Sequence, residues 1–443
     1  MKKLVVCCRQ ATLVIFGVIA CIIASTKTAL ADTGASVDTG DTAWLLASSA
    51  LVMLMTPGLG LFYAGMVRRK NALATILQSF IMVGIVGVLW IIYGYSLAFG
   101  KDHFGIIGSL DWICLRGVGQ APNVDYAPTI PHIGFVMFQA MFAIITPALI
   151  SGAFAERMRF KAYVLFMILW FTVVYVPVAH WVWAPGGWLR ELGVLDFAGG
   201  IVVHLSSGIA ALVCAIVLGK RKGYGHEELT PHNLTMTLIG TSLLWFGWFG
   251  FNAGSALAAN GVAFSAFLAT NTAGSAAAVT WVLIEWWHRG KPTALGAASG
   301  AIAGLAAVTP ASGYIGPMAA LAIGIVISLI SYMAIMAKGK LGYDDSLDVF
   351  GVHGMGGIWG VLAVGIFASS AINSSVTHNG LVYGGGHLFL MQLLATVVVS
   401  AFSFVVTFIL LKITGIITPL RVEKDDEEAG LDLSQHGEVG YTF

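Results

Sequence analysis

Charge is scarce in this sequence. Asp, Glu, Lys and Arg make up 10% of its 443 residues, while 58% are hydrophobic. A soluble domain carries about 25% charged residues, so there are too few here to wet a globular surface. The signs nearly cancel, with 23 Lys and Arg against 22 Asp and Glu, a net charge of +1. No basic stripe is present for nucleic acid. Cysteine is sparse too. Of five, Cys7, Cys8 and Cys21 fall in the first 31 residues. The remaining two, Cys114 in a loop and Cys214 inside an apolar run, offer no disulfide framework.

What fills the chain instead is a series of long uncharged runs between short charge clusters. Crossing the hydrocarbon core of a bilayer takes about 20 apolar residues, and the runs have that length. The N-terminus is separate. Lys2, Lys3 and Arg9 form a basic start, Leu13 to Ile23 an apolar middle, and Ala29-Leu30-Ala31 a small-residue cleavage site, so 1–31 reads as a cleaved signal peptide. A competing reading takes Val18-Ile19-Ala20-Cys21 as a lipoprotein cleavage site, but the basic and apolar regions fit the alanine site better.

The remaining chain is predicted to be an all-α membrane domain over 32–420. Its helices fall near 42–66, 71–99, 132–155, 162–183, 199–219, 232–254, 263–287, 293–310, 316–337, 346–369 and 384–412, eleven in all. The cations Arg68-Arg69-Lys70, Arg157/Arg159/Lys161, Lys220-Arg221-Lys222, Arg289/Lys291 and Lys338/Lys340 occupy alternate connections, with Lys412 and Arg421 at the end. Basic connections stay cytoplasmic, which places the mature N-terminus outside and the C-terminus inside. Residues 421–443, with Asp425-Asp426-Glu427-Glu428, form an acidic cytoplasmic tail without a core of its own. Glycines at small-xxx-small spacing, as in Gly296/Gly300/Gly304 and Gly356/Gly360, let helices approach closely.

Two segments resemble each other. The fifth predicted helix begins Asp196-Phe-Ala-Gly-Gly-Ile-Val-Val-His204 and the tenth Asp348-Val-Phe-Gly-Val-His353-Gly. The topology makes them enter from opposite faces, as an inverted five-helix repeat would. At ~1.5 Å per residue, the histidines lie ~12 Å and ~7.5 Å beyond their aspartates, near mid-bilayer. An ionisable side chain at that depth is costly and is a functional candidate by default, so His204 and His353 come first. The bland alternative, a neutral core histidine bonded to a carbonyl, fits either one alone better than both. Asp348 reads as a structural helix cap. Asp196 could also favour a cation above it.

Several runs together resemble the ammonium transporter (Amt/Mep/Rh) family: Asp196-Phe-Ala-Gly-Gly through His204 to Gly219-Lys220-Arg221, Ala155-Glu156-Arg157-Met-Arg-Phe160, Trp248-Phe-Gly-Phe251-Asn-Ala-Gly-Ser255 and Asp348-Val-Phe-Gly-Val-His353-Gly. They span essentially the whole mature chain in order. The resemblance implies a paired-histidine pore and proton relay at His204 and His353. It implies stacked Phe142 and Phe251 closing the outer entrance, and an outer ammonium site made by Phe142, Trp183 and Ser255 with Asp196 beneath. It further implies eleven helices, a homotrimer with one pore per subunit, and a cytoplasmic PII signalling protein as a partner. Trp183 and Ser255 match the bacterial Amt-type branch. Alone, Trp183 would read as an interfacial belt residue, and the two phenylalanines as packing.

The chemistry suits the residues. Aromatic faces attract a small cation by roughly 0.5–2 kcal/mol each, and a serine hydroxyl accepts an N–H bond. Taking a bare ion through a dry constriction has an idealised cost of order 20 kcal/mol. Removing its proton first costs roughly 3–4 kcal/mol at neutrality. Imidazole offers a donor and an acceptor nitrogen and a pKa near 6.5, so two rings can carry ammonia and relay a proton. Sodium and potassium have no proton to lose. No cofactor, metal or enzymatic activity is expected. His226-Glu-Glu-Leu-Thr-Pro-His232 lacks the spacing of a zinc helix. An ammonium sensor acting through a PII-type partner is the alternative function.

Overall fold

The computed structural model describes residues 36–442, so the predicted signal peptide lies outside the described residues. Among the described residues, ten helices are long and apolar enough to cross a membrane. They are α1 (Thr39–Met66), α2 (Arg69–Phe99), α3 (His132–Phe154), α4 (Phe160–Glu191, with a break after Trp183), α5 (Gly200–Leu218), α6 (Leu234–Gly254), α7 (Gly261–Arg289), α9 (Pro317–Leu341), α10 (Phe350–Phe367) and α11 (His387–Ile417).

The predicted span at 293–310 differs. It is a shorter helix, α8 (Ala294–Val308), of 15 residues. At ~1.5 Å per residue it reaches about 22 Å, less than the ~30 Å of hydrocarbon. The chain then turns at Thr309-Pro310, where proline has no N–H to continue the ladder. The long connection after α2 carries two small antiparallel pairs, β1 (Asp102–His103) with β2 (Ile107–Gly108) and β3 (Pro122–Asn123) with β4 (Ala127–Pro131).

Burial grades the helices. Most of α3 and α5 is enclosed by the others, while α7 and α11 bury only about a third of their length. Their outer faces carry exposed Phe264, Trp287 and Ile416, as expected where lipid, not water, is the neighbour. At the centre α5 crosses α10. A Cβ on Gly208 would lie 2.3 Å from the Gly354 backbone, so only glycine permits this approach. The two helices run antiparallel: Arg221, just past α5, makes a bidentate bond to Asp344, just before α10, at 2.9 Å through both Nε and Nη2.

The acidic tail is ordered against this body. It forms α12 (Lys424–Ala429) and α13 (Leu431–His436). Val422 and Leu431 are buried with Ala74, and the Asp432 carboxylate accepts from the Leu73 and Ala74 amides at 3.1 and 2.8 Å. It thereby caps the start of α2. Glu427 is buried against Arg421. Cys214 is a free thiol buried in α5.

Candidate functional site

His204 and His353 come together. Their Nδ1 atoms lie 3.2 Å apart, their rings are nearly parallel at 11° with centroids 5.2 Å apart, and both are buried. Each sits in a π-helical turn, Gly200–Leu205 in α5 and Phe350–Gly354 in α10. Such turns swell the helix by one residue and re-aim its side chains. With Nδ1 facing Nδ1, one ring must donate and the other accept. In the neutral pair one Nε2 is then an acceptor and the other a donor. The Nε2 of His204 has no hydrogen-bond partner among the described residues.

The pair borders a narrow cavity lined by Met55, Leu149, Trp248 and Phe251, among others. Its volume of about 10 Å³ is at the margin of what one water-sized molecule needs. Trp248 lies against His204, with centroids 5.5 Å apart and planes 21° from parallel. Its indole N–H is held by Thr309 Oγ1 at 2.9 Å. The motif containing Trp248 was visible in the sequence, but this role was not.

A second, wider cavity of about 180 Å³ is lined by Phe142, Trp183, Ser255, Gln139 and Tyr126, among others. Phe142 and Trp183 meet edge to face at 5.9 Å. The Ser255 hydroxyl donates to the Phe251 carbonyl at 2.8 Å, which leaves its lone pairs for a donor in the cavity. Phe142 lines the wide cavity and Phe251 the narrow one. Their centroids are 4.3 Å apart with rings tilted at 42°, so they are not the parallel stack anticipated. Both are buried, and together they form the partition between the cavities.

Asp196 is not in the wall of the wide cavity. Its carboxylate is turned into the start of α5, where Oδ1 accepts from Gly199 and Gly200 at 2.9 and 2.6 Å and Oδ2 from Ile201 and Val202 at 2.8 and 3.2 Å. Burial pushes this carboxyl above its ordinary range, and the four amides pull it back. Asp196 reaches the cavity through its main chain, whose carbonyl holds the Trp183 indole N–H at 3.0 Å.

At α10 the expected cap is corrected. Asp348 has a left-handed φ of 61° and pairs with Lys338. The carboxylate that accepts from the start of α10 is Asp345, whose Oδ2 binds the Phe350 amide at 2.8 Å. Asp345 precedes His353 by eight residues, the interval between Asp196 and His204. That interval was available in the sequence, but the nearer Asp348 drew the alignment. Asp345 is buried, and its Oδ1 has no hydrogen-bond partner among the described residues. Burial pushes its carboxyl up to about 6, with Lys338 lowering it and Asp348 raising it.

Residues 43–441 match the family model described as the Ammonium Transporter Family. The chain belongs to that family. It is 53% identical over 403 residues to an ammonium transporter of Bacillus subtilis, covering 91% of this chain and 98% of that one. It is 50% identical to ammonium transporter Amt1 of Archaeoglobus fulgidus, covering 91% and 99%. Among solved structures it resembles Mep2 of Saccharomyces cerevisiae, with a TM-score of 0.85 at 37% identity over 93% of each chain. It also resembles a structure titled Sensor Amt Protein, with a TM-score of 0.82 at 29% identity over 90% and 98%. Its curated relatives are named as transporters rather than enzymes. Family and helices together make this a multi-pass membrane protein.

Proposed function

We propose that this chain transports ammonium across the plasma membrane by recruiting it in the wide cavity, removing its proton and passing ammonia along the two histidines. Phe142 and Trp183 offer ring faces and Ser255 a hydroxyl to the incoming cation. Asp196 acts from beneath by fixing Trp183 and the start of α5. Phe142 and Phe251 act as the gate. Beyond it the narrow cavity is too apolar for an ion and wide enough for ammonia. There His204 and His353 hydrogen-bond the neutral molecule and relay the proton separately.

The observation that carries this reading is the 3.2 Å Nδ1–Nδ1 contact beneath the phenylalanine partition. The test is ammonium-evoked current from purified protein in liposomes. His204→Ala is expected to abolish the ammonium-selective current, and an undiminished, still selective current would rule the relay out.

The remaining reading follows the same lines. The wide cavity faces outward, the N-terminus is outside behind a cleaved signal at 1–31, and the ordered tail is cytoplasmic. α8 acts as an eleventh span, completed by the turns that follow it. α1–α5 and α6–α10 form inverted halves, a reading supported by the antiparallel crossing of α5 and α10 and by the shared Asp-to-His interval. The functional unit is a homotrimer. A sensor role through a PII-type protein is the second reading, supported by the likeness to the Sensor Amt Protein structure and by the docked tail. Pull-down of a PII protein at low and high 2-oxoglutarate separates the two.

A further inference from the structure

One polar side chain in the wall of the wide cavity ends in an amide that nothing among the described residues binds. The cavity's polar side chains can be accounted for one by one. Tyr126 donates its hydroxyl to the Phe99 carbonyl at 2.5 Å, Ser255 donates to Phe251, and Trp183 donates to the Asp196 carbonyl. Arg190 donates to the Trp183 carbonyl. Asp125 is exposed at the rim. That leaves Gln139. It lies one turn before Phe142 on α3 and lines the same cavity. Its Oε1 is buried and bonded to nothing among the described residues. A buried carbonyl oxygen without a donor is unfavourable, so no bond holds this end of the amide in its buried position.

We infer that Gln139 is a second hydrogen-bond acceptor for the recruited ammonium, beside the Ser255 hydroxyl's lone pairs in its role, and sets the affinity of the site for N–H-bearing cations. This rests on the recruitment site proposed above. The chemistry is that of donor counting. Ammonium carries four N–H donors and sheds water as it enters. Two ring faces attract its charge without reading its protons, whereas an amide oxygen and a hydroxyl accept N–H bonds specifically. The two ends of the Gln139 amide exchange by a half-turn of its terminal torsion, which needs no movement of α3.

The test is the initial rate of ammonium uptake into proteoliposomes holding the full chain, titrated with ammonium. Gln139→Leu keeps the bulk and removes the acceptor. It is expected to raise the half-saturating concentration about tenfold, the size of one hydrogen bond to a charged group, with the maximal rate little changed. Gln139→Glu restores acceptor oxygens and should return half-saturation to the wild-type value or below. Gln139→Asn withdraws the oxygen by one methylene and should fall between. A Leu variant with unchanged half-saturation overturns the inference, as does one that loses only maximal rate, which marks a packing role. Should Leu fail to insert, Glu and Asn decide: Asn equal to wild type, or Glu as impaired as Asn, overturns it. Trp183→Leu and Ser255→Ala are run in parallel. If neither shifts half-saturation, the recruitment site itself fails; if both shift it and Gln139→Leu does not, only this inference fails.

Discussion

The starts of α5 and α10 solve one problem to different degrees. Each helix begins with a buried aspartate, passes into a π-turn, and delivers a histidine eight residues on. At α5 the carboxylate is saturated, with two amides on each oxygen. At α10 Asp345 leaves Oδ1 without a partner among the described residues and shares its surroundings with Lys338 and Asp348. A saturated cap is a rigid fixture, because every lone pair holds a backbone group that would otherwise be orphaned. An unsaturated one titrates. The π-turn of α5 is therefore anchored tightly and that of α10 adjustably.

The largest effect should come from the saturated end. Asp196→Ala strands four buried amides, and each unsatisfied group costs about 1–3 kcal/mol. Thermal unfolding of purified protein in detergent should show a loss of more than about 3 kcal/mol, or no inserted protein at all. Asp345→Ala should lose about half as much, since fewer amides depend on it. Equal losses would break the comparison, because they would mean that Asp345 anchors α10 as fully as Asp196 anchors α5.

The second effect is a pH dependence at the start of α10. Burial raises the Asp345 carboxyl from its ordinary 3.8 to about 6, so the fold favours its protonated form. Its contribution to stability is complete below the ordinary value and is lost as pH rises through about 6. At about 1.4 kcal/mol per pH unit, the loss reaches at most roughly 3 kcal/mol. Asp345→Asn removes it. The variant should gain on wild type in unfolding midpoint between pH 5 and pH 8. A constant gap over that range would show that the carboxyl does not titrate there.

The same two segments show what a sequence can reveal. The spans were legible because lipid tolerates no charge, so each cluster marks an end. The histidines were legible because an ionisable group in a long apolar run has few bland explanations. The resemblance of motifs supplied Phe142, Trp183, Ser255 and Phe251, which by residue type alone read as packing or interface. The cap of α10 was misassigned because Asp344, Asp345 and Asp348 crowd five positions, and only the turn decides which carboxylate faces the helix. Where the tail docks was hidden for a different reason. Its anchor, Asp432, bonds amides about 360 positions away, and such pairing leaves no local pattern. The α8 span was drawn too long at its end because apolar composition continues through Pro310 although the helix stops at Val308.

The smallest effect is the one that separates the two α10 aspartates. Asp348 holds a left-handed φ of 61°, a conformation that costs a non-glycine residue about 1–2 kcal/mol. Its return is a partly exposed pair with Lys338, and such pairs contribute up to about 1 kcal/mol. Asp348→Gly gives up the pair and relieves the backbone, so its unfolding free energy should stay within about 1 kcal/mol of wild type. Asp348→Ala gives up the pair, keeps the unfavourable φ and should be the less stable of the two. If Asp348 were the helix cap, both variants would lose what Asp345→Ala loses, and glycine, with its greater freedom when unfolded, would be the worse. The order of Gly and Ala at one position thus reports which carboxylate holds the helix that carries His353.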